Sequence, residues 1–190
     1  MSLAVPAAAD RAALADVVGR VVRLDPAAVV RLRTVGDGVA LWAGTPFAVL
    51  VAAAAPGRVE PADVTVVGSD LLAALTVVDA PALDPGTAVD DRWRGDLPGP
   101  VRWDVVGEIG AAEIDAVVAR ADPSGLDEPV WEAGGVRVPA RCVVAVAGMG
   151  WPEGGAPVPV AVSSDGAWMR LDLGVAAIVR HRRPSLTVLM

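Results

Sequence analysis

Four residue types are missing from the chain, which contains no lysine, asparagine, glutamine or tyrosine. Lysine, asparagine and tyrosine have AT-rich codons, so a GC-rich coding sequence accounts for three of these absences, though not for glutamine. All 16 basic residues are therefore arginine. Because arginine is the only cation present, an arginine at a given position indicates bidentate recognition less strongly than usual.

The scarcity of cysteine and histidine excludes several kinds of site. Cys142, the one cysteine, cannot form an internal disulfide, and its apolar neighbours predict a buried thiol in a reducing cytoplasm. The one histidine, His181, excludes a zinc site with two histidines. A triad of Ser163 or Ser164 with Asp165 and His181 is formally open, but these serines and Asp165 are ordinary hairpin-turn residues. We therefore predict no catalytic residue and no cofactor, and favour a protein that is not an enzyme.

Carboxylates are the remaining candidates for acid–base chemistry or metal binding. Asp90 and Asp91 are adjacent and point apart in an extended chain, while Glu113 and Asp115 lie on the outer face of a predicted helix. A metal held by Asp90, Asp91 and Asp96 stays open as an alternative. Solvated carboxylates are the simpler interpretation, and we predict no metal site.

The chain is acidic, with a net charge of -7 and a pI near 4.6. A nucleic-acid-binding protein needs a basic surface that releases counterions, so we predict no nucleic-acid partner. The basic cluster at residues 180–184 is typical of a solvated strand end. Asp10 and Arg11 interrupt the short apolar run near the N-terminus, which is therefore a poor signal peptide.

A stretch from Gly38 to Gly57 has no charged residue and is long enough to cross a membrane. A spanning helix is disfavoured because the Gly-Thr-Pro triplet at 44–46 falls near its middle and no basic cluster flanks it. Strands fit better: a Gly-Asp-Gly turn at 36–38 joins VVRLRT to VALWA, and FAVLVA at 47–52 forms the third strand. We predict a buried sheet here and no membrane association.

Helical spacing of apolar residues predicts four helices elsewhere in the chain. They begin at Asp10, after an N-cap at Ser69, at Ala111, and at Pro139 as first helical residue. The β-branched residues of the last segment leave a strand as its alternative. The proline-rich stretch at 81–100 breaks both the helical and the strand periodicity, which is typical of a connector.

Two segments, 29–51 and 158–179, share one pattern of three strands joined by short glycine-containing turns, each after an apolar helix. Such turns recur in unrelated proteins, so internal duplication is a hypothesis that strand order tests. The sequence predicts an α+β fold of antiparallel β-meanders with helices packed on one face. The meanders belong to two similar helix-plus-meander halves, 1–80 and 101–190, joined by the connector at 81–100.

Residue types that are frequent in interfaces occur in two places, the connector and the corner after the last helix. The predicted binding residues are Arg92, Trp93, Arg94, Asp96, Met149 and Trp151. Packing is the alternative in both places, with Trp93 pinning the connector and the corner joining the core.

The runs LWAGTPFAVLV, DDRWRGDLPGP, GMGW and AWMRLD together resemble a family of bacterial proteins of unknown function from GC-rich genomes. This resemblance spans most of the chain and implies no activity, ligand or catalytic residue.

Together these observations favour a cytoplasmic protein-interaction or self-association domain that binds a partner protein or forms a homodimer, since apolar edge strands can pair between chains. The alternative is a small-molecule-binding protein or enzyme that uses arginine and carboxylates in a tryptophan-lined pocket between the halves.

Overall fold

The computed structural model of the protein describes residues 1–77, 80–151 and 153–182. The helices are α1 (Ala8–Leu24), α2 (Gly68–Val77), α3 (Ala111–Arg120) and α4 (Ala140–Gly148). The strands are β1 (Ser2–Ala4), β2 (Val29–Val35), β3 (Gly38–Gly44), β4 (Leu50–Pro56), β5 (Arg58–Glu60), β6 (Asp63–Val67), β7 (Ala82–Leu83), β8 (Trp103–Ile109), β9 (Pro129–Ala133), β10 (Val136–Pro139), β11 (Val158–Ser163), β12 (Trp168–Asp172) and β13 (Ala176–His181).

One antiparallel sheet of eight strands, in the order β6-β2-β3-β4-β13-β12-β11-β8, forms the centre of the molecule. A small sheet β5-β1-β7 and the hairpin β9-β10 lie beside it. The main core joins helix residues such as Leu14, Leu71 and Val143 to sheet residues such as Leu41 and Ile178. The predicted α+β fold, with antiparallel meanders and helices on one face, is confirmed.

The two halves of the large sheet have the same strand order. In the first half the meander β2-β3-β4 lies beside the edge strand β6, and in the second the meander β11-β12-β13 lies beside β8. Each meander follows a helix, α1 or α4, and each edge strand leads into a helix, α2 or α3. The edge strand and its helix come after the meander in the first half and before it in the second. Equal strand order supports the hypothesis of two similar units.

Strands β4 and β13 join the two halves at a central seam. Their register pairs Leu50 with Val179, Val51 with Ile178, Ala52 with Ala177 and Ala53 with Ala176. Side chains alternate between the two faces of a strand, so Val51 and Ile178, both completely buried, point towards the helices.

The charge-free stretch forms β3 and the start of the seam strand β4, so the prediction of a sheet is confirmed. The predicted start of the third strand at Phe47 is wrong, because the chain makes a turn before Leu50. In this turn the N–H of Ala48 donates to the carbonyl of Thr45 at 3.1 Å, and Ala48 has a φ of 54°.

In the described part of the chain, the helices are all too short or too polar to cross a membrane.

Three predicted helix starts are also corrected. Helix α1 begins at Ala8, two residues before the predicted Asp10. Helix α2 begins at Gly68, so Ser69 lies inside it rather than at its N-cap. The N–H of Gly68 donates to the carbonyl of Ala28 at 2.9 Å, which lets β6 lead directly into the helix. Pro139 is the last residue of β10 and the N-cap of α4, a position where a missing N–H costs nothing.

Truncation at the seam should destabilise the whole chain, because both halves pack on it. We expect Ile178→Ala to lower the free energy of unfolding by about 2–5 kcal/mol, as for other buried isoleucines. The measurement is urea denaturation followed by circular dichroism. Val175→Ala is the matched control, since Val175 is 51% exposed just before β13. Equal effects of the two substitutions would contradict the central position of the seam.

Candidate functional site: the outer face of the sheet and its connector

The face of the large sheet away from the helices carries a second apolar cluster. Trp168, Ala177 and Val179 are 8%, 2% and 1% exposed. The partly buried residues around them are Trp42, Leu50, Ala52, Trp103 and Ala167. An antiparallel sheet with one solvated face has polar residues at the outward positions. Apolar residues there indicate that the middle of this outer face is covered.

The connector provides that cover. Residues 88–90 first bind the outer edge of β6: the N–H of Val89 donates to the carbonyl of Thr65 at 2.8 Å, and Asp90 Oδ1 accepts from the N–H of Thr65 at 2.6 Å. The chain then crosses the outer face and enters β8. Pro98 is buried on the way, where it lines a cavity together with Ala52.

Hydrogen bonds fix the start of the crossing. Trp93 Nε1 donates to the carbonyl of Gly95 at 3.0 Å, and Arg92 Nη2 donates to the carbonyl of Ala27 at 3.0 Å. Arg94 Nη1 donates to the carbonyls of Asp91 and Trp93. The structure thus holds Arg92, Trp93 and Arg94 together at one edge of the sheet.

Trp93 is half-buried and has a cationic neighbour on β2. The guanidinium carbon of Arg31 lies 5.8 Å from the centre of the Trp93 ring. Asp63 holds Arg31 in a bidentate pair at 2.7 and 2.8 Å, and this hydrogen bonding lowers the pKa of the Asp63 carboxyl.

A groove of about 420 Å³, which we call the connector groove, runs between the connector and the seam. Its lining includes Leu50, Arg94, Asp96, Trp168, Val179 and His181. Leu50, Trp168 and Val179 are its large apolar residues, while Arg94 and Asp96 of the connector and Arg180 and His181 of β13 add charged and polar groups.

A depression of about 380 Å³ continues from the groove along the seam, and Val179 lines both. Trp42 and Trp103 line it, one from each half, together with Ala52, Ala177 and Arg170. Asp10, Ala13 and Leu14 of α1 line it as well, so the depression reaches from the outer face to the first helix. The Nη2 atom of Arg170 pairs with Asp172 at 2.8 Å, while its Nε is buried and has no hydrogen-bond partner among the described residues.

The serine and histidine of the formal triad have structural partners. Ser163 is 2% exposed; its hydroxyl donates to Asp165 Oδ1 at 2.5 Å and accepts from the N–H of Trp168 at 2.9 Å. The hydrogen bond from Ser163 lowers the pKa of Asp165. The His181 ring packs edge-on against Trp168, with 4.9 Å between ring centres. The Ser163 hydroxyl therefore closes the hairpin turn between β11 and β12.

Within the described ranges, no three His, Cys, Asp or Glu side chains come close enough to hold a metal ion. Of the basic cluster at 180–184, residues 183 and 184 lie outside the described residues. Arg182 donates to the carbonyls of Gly166 and Gly135 at 3.1 and 2.8 Å.

Met149 and Trp151 lie on the opposite face of the sheet from the connector. Met149 is completely buried in the main core, so its side chain offers no surface to a partner. Trp151 is half-buried, and the guanidinium carbon of Arg20 lies 4.2 Å from its ring centre. Arg20 Nη1 also donates to the carbonyl of Met149 at 2.7 Å, which ties α1 to the end of α4. This corner joins the two halves on the helix side.

Sequence reasoning missed the outer-face residues Trp42, Trp103, Trp168 and Val179. A signal for them exists in the strand patterns: β2 alternates apolar residues with Arg31 and Arg33, whereas β3 and the first four residues of β13 are apolar on both faces. A both-face apolar strand in an antiparallel sheet indicates that its outer face is covered.

Behind the seam, Asp127 binds two arginines from different elements. Arg141 Nη2 lies 2.5 Å and Arg180 Nη2 3.1 Å from its carboxylate oxygens, and these hydrogen bonds lower the pKa of Asp127. Cys142 is completely buried close by, and its burial raises the pKa of the thiol to about 12.

We expect Cys142 to be inert in the folded protein, because the thiolate is the reacting species and both burial and the raised pKa suppress it. The measurement is reaction with an aromatic disulfide reagent at mildly alkaline pH. The native chain should release almost no coloured thiolate in the time in which the chain unfolded in guanidinium chloride releases one equivalent. Rapid release from the native chain would contradict the buried position.

The fold is similar to that of DNA sliding clamps. A sliding clamp (DNA polymerase III subunit beta) from Bartonella birtlesii, bound to griselimycin, aligns with a TM-score of 0.57 at 13% identity over 97% of this chain and 65% of the clamp. The beta subunit from Pseudomonas aeruginosa aligns with a TM-score of 0.58 at 13% identity, over 95% of this chain and 64% of the subunit. A putative beta subunit from Eubacterium rectale aligns with a TM-score of 0.61 at 9% identity, over 95% of this chain and 64% of the subunit. This chain therefore spans less than two thirds of the length of these clamps.

No curated protein matches the chain. Two family models do: residues 106–185 match a domain of unknown function, DUF8185, and residues 1–95 match a domain of unknown function, DUF8010. The resemblance to an uncharacterised family is confirmed. Since the N-terminal match covers half of the 190 residues, the chain belongs to the family of the domain of unknown function DUF8010.

Proposed function

We propose that this chain is a non-enzymatic protein-interaction domain that binds a partner protein at the connector groove. The apolar outer face carries this proposal: the connector covers only part of it, and a groove stays open beside the connector. The likeness in fold to sliding clamps supports an interaction or scaffold role of this general kind.

The groove has the anatomy of an interface centre. Leu50, Trp168 and Val179 give an apolar floor, and Arg94 and Asp96 give a polar rim. Interfaces combine an apolar centre with a polar rim in the same way, and tryptophan and arginine are frequent among their energetically dominant residues. An extended segment of a partner could place one or two apolar side chains in the groove and pair its charged groups at the rim.

A second candidate function is the binding of a small anionic molecule in the depression between Trp42 and Trp103. The buried Nε of Arg170, which lacks a hydrogen-bond partner among the described residues, favours this candidate. A thermal-shift screen of aromatic carboxylates separates it from the first, because a ligand at a hundredfold its dissociation constant adds about 2.7 kcal/mol of stability.

We further propose that the protein works in the cytoplasm without a nucleic-acid partner. A buried lone thiol is compatible with a reducing compartment. The helix layer carries no net charge, since its five arginines are balanced by five carboxylates: Arg11, Arg20, Arg23, Arg120 and Arg141 against Asp10, Asp16, Asp70, Glu113 and Asp115. With a net charge of -7 on the whole chain, the helices supply no excess of positive charge for the binding of phosphates.

The groove proposal predicts that a bulky charge at Ala54 weakens the binding of a partner segment that runs from the connector groove into the depression that continues from it. Ala54 is exposed on the outer face of β4 and lines that depression, so an arginine there blocks the path of the segment without burying a charge. Once a partner has been captured by cross-linking and purified, calorimetry should show about a tenfold or greater loss of affinity for Ala54→Arg, which is about 1.4 kcal/mol.

The matched control is Ala116→Arg, which adds the same charge at an exposed position of α3 on the helix side. We expect its affinity for the partner to stay close to that of the unmodified chain. If the partner binds the Ala54→Arg variant with normal affinity but no longer binds the Ala116→Arg variant, the interface lies on the helices and the proposal is overturned.

The charge distribution predicts very weak binding to DNA. In fluorescence anisotropy with a labelled duplex at physiological salt, we expect a dissociation constant weaker than about 100 μM, the weak limit for non-specific binders. Tighter binding that weakens steeply with added salt would show a basic surface that the described residues do not form.

A further inference from the structure

The two edges of the large sheet differ in what covers them. Residues 88–90 occupy the outer edge of β6, through the bridge between Val66 and Ala88 and the hydrogen bonds to Thr65. At the other end β8 pairs with β11, and no strand of the described residues pairs with its outer edge. One edge is therefore sealed and the other is open for pairing.

The backbone of β8 shows which of its groups are unpaired. The N–H of Ser164 donates to the carbonyl of Arg102 at 2.8 Å, and Trp103 lies opposite Ser163. Because groups in an antiparallel ladder alternate in direction, the N–H and C=O of Trp103 and of Val105 point away from β11. The Val105 side chain is 67% exposed.

The part of this edge that can pair flatly is short. The register between β8 and β11 shifts after Val105, which marks a bulge. Beyond the bulge the hairpin β9-β10 packs over β8, so closely that a Cβ on Gly107 would lie 2.8 Å from the Trp131 ring. A bulge twists an edge and limits pairing. The usable edge is therefore residues 101–105.

We propose that residues 101–105 pair antiparallel with the same residues of a second copy of this chain, with the two-fold axis at Trp103. This register places Arg102 opposite Asp104 of the second copy, twice over, and Val105 opposite Val101. The neighbouring register, with the axis at Asp104, would set two aspartates directly opposite each other, which is unfavourable. Within one chain Arg102 Nε lies 3.2 Å from Asp104 Oδ1, so in the dimer each residue would share its charge with the second copy as well as with its own neighbour. Charge complementarity thus favours a second copy and this register.

This dimer would stop at two copies, since the β6 edges that remain at both ends are sealed. It would also join the outer faces of both copies into one surface, because Trp103 lines the depression that continues from the connector groove. The inference rests on the proposed function only in treating the chain as an association domain. Five residue pairs bury less than the about 1,600 Å² of a standard interface, so we expect a dimer that dissociates on dilution.

Sedimentation velocity of the full chain, from low micromolar to several hundred micromolar, tests the proposal. We expect a monomer–dimer equilibrium that Val105→Pro shifts towards monomer by about tenfold or more. Proline removes the outward N–H of Val105 without touching the ladder to β11, so the fold should persist. Val105→Ala, which keeps this N–H, is the matched control and should still dimerise. Circular dichroism melting of each variant checks the fold.

A charge swap tests the register. Arg102→Asp and Asp104→Arg should each weaken the dimer, because each sets like charges opposite one another, and the double variant should restore it. A chain that stays monomeric at all concentrations overturns the proposal, as does a dimer that neither Val105→Pro nor the charge variants weaken. Ala54→Arg should dimerise normally, so loss of partner binding and loss of dimerisation are separable.

Discussion

The antiparallel pairing of β4 with β13 at the centre of the sheet is the contact on which the rest of the structure depends. It satisfies the backbone groups of two strands that would otherwise be edges, and it buries Val51 and Ile178 under the helices. The same pairing brings α1 next to the end of α4, where Arg20 bonds to the carbonyl of Met149. Two four-stranded halves thereby become one sheet with a continuous inner and outer face.

Residue size along the seam shapes the outer face. Ala52 and Ala177 face each other across the seam, while Trp42 and Trp103 rise from strands on either side. Small residues between large ones leave a depression. The connector covers part of this depression, because residues 94–98 must cross from one edge of the sheet to the other. The candidate site thus follows from the joining of the halves: neither half alone has both walls.

Much of the fold was predictable from local periodicity, and the failures have physical causes. The four helices α1 to α4 and the strand pairs around Gly-containing turns follow from apolar spacing. The run Phe47 to Val49 looks like strand because it is apolar, but Ala48 adopts a positive φ that is rare outside glycine. The pairing of β4 with β13 could not be predicted, because the two strands lie in opposite halves of the chain. The local sequence pattern of a strand does not indicate which distant strand it pairs with. The connector residues Arg92 to Asp96 were found from residue type alone. The outer-face tryptophans were missed, because no prediction was made for the residues on the outward-facing side of their strands.

The absence of lysine and tyrosine explains why arginine marks so many structural contacts here. In a chain rich in alanine and valine, arginine is one of the few long side chains, and its stem can pack while its head bonds to carbonyls. Arg11 is 8% exposed and donates to the carbonyls of Val5 and Pro6 at 3.0 and 2.9 Å. Arg92 and Arg94 likewise donate to backbone carbonyls. Of the three predicted binding residues Arg92, Trp93 and Arg94, the two arginines therefore serve first to hold the connector in place through hydrogen bonds. What the fastened connector leaves uncovered is an apolar groove, so recognition at this face depends more on shape and apolar burial than on arginine charge.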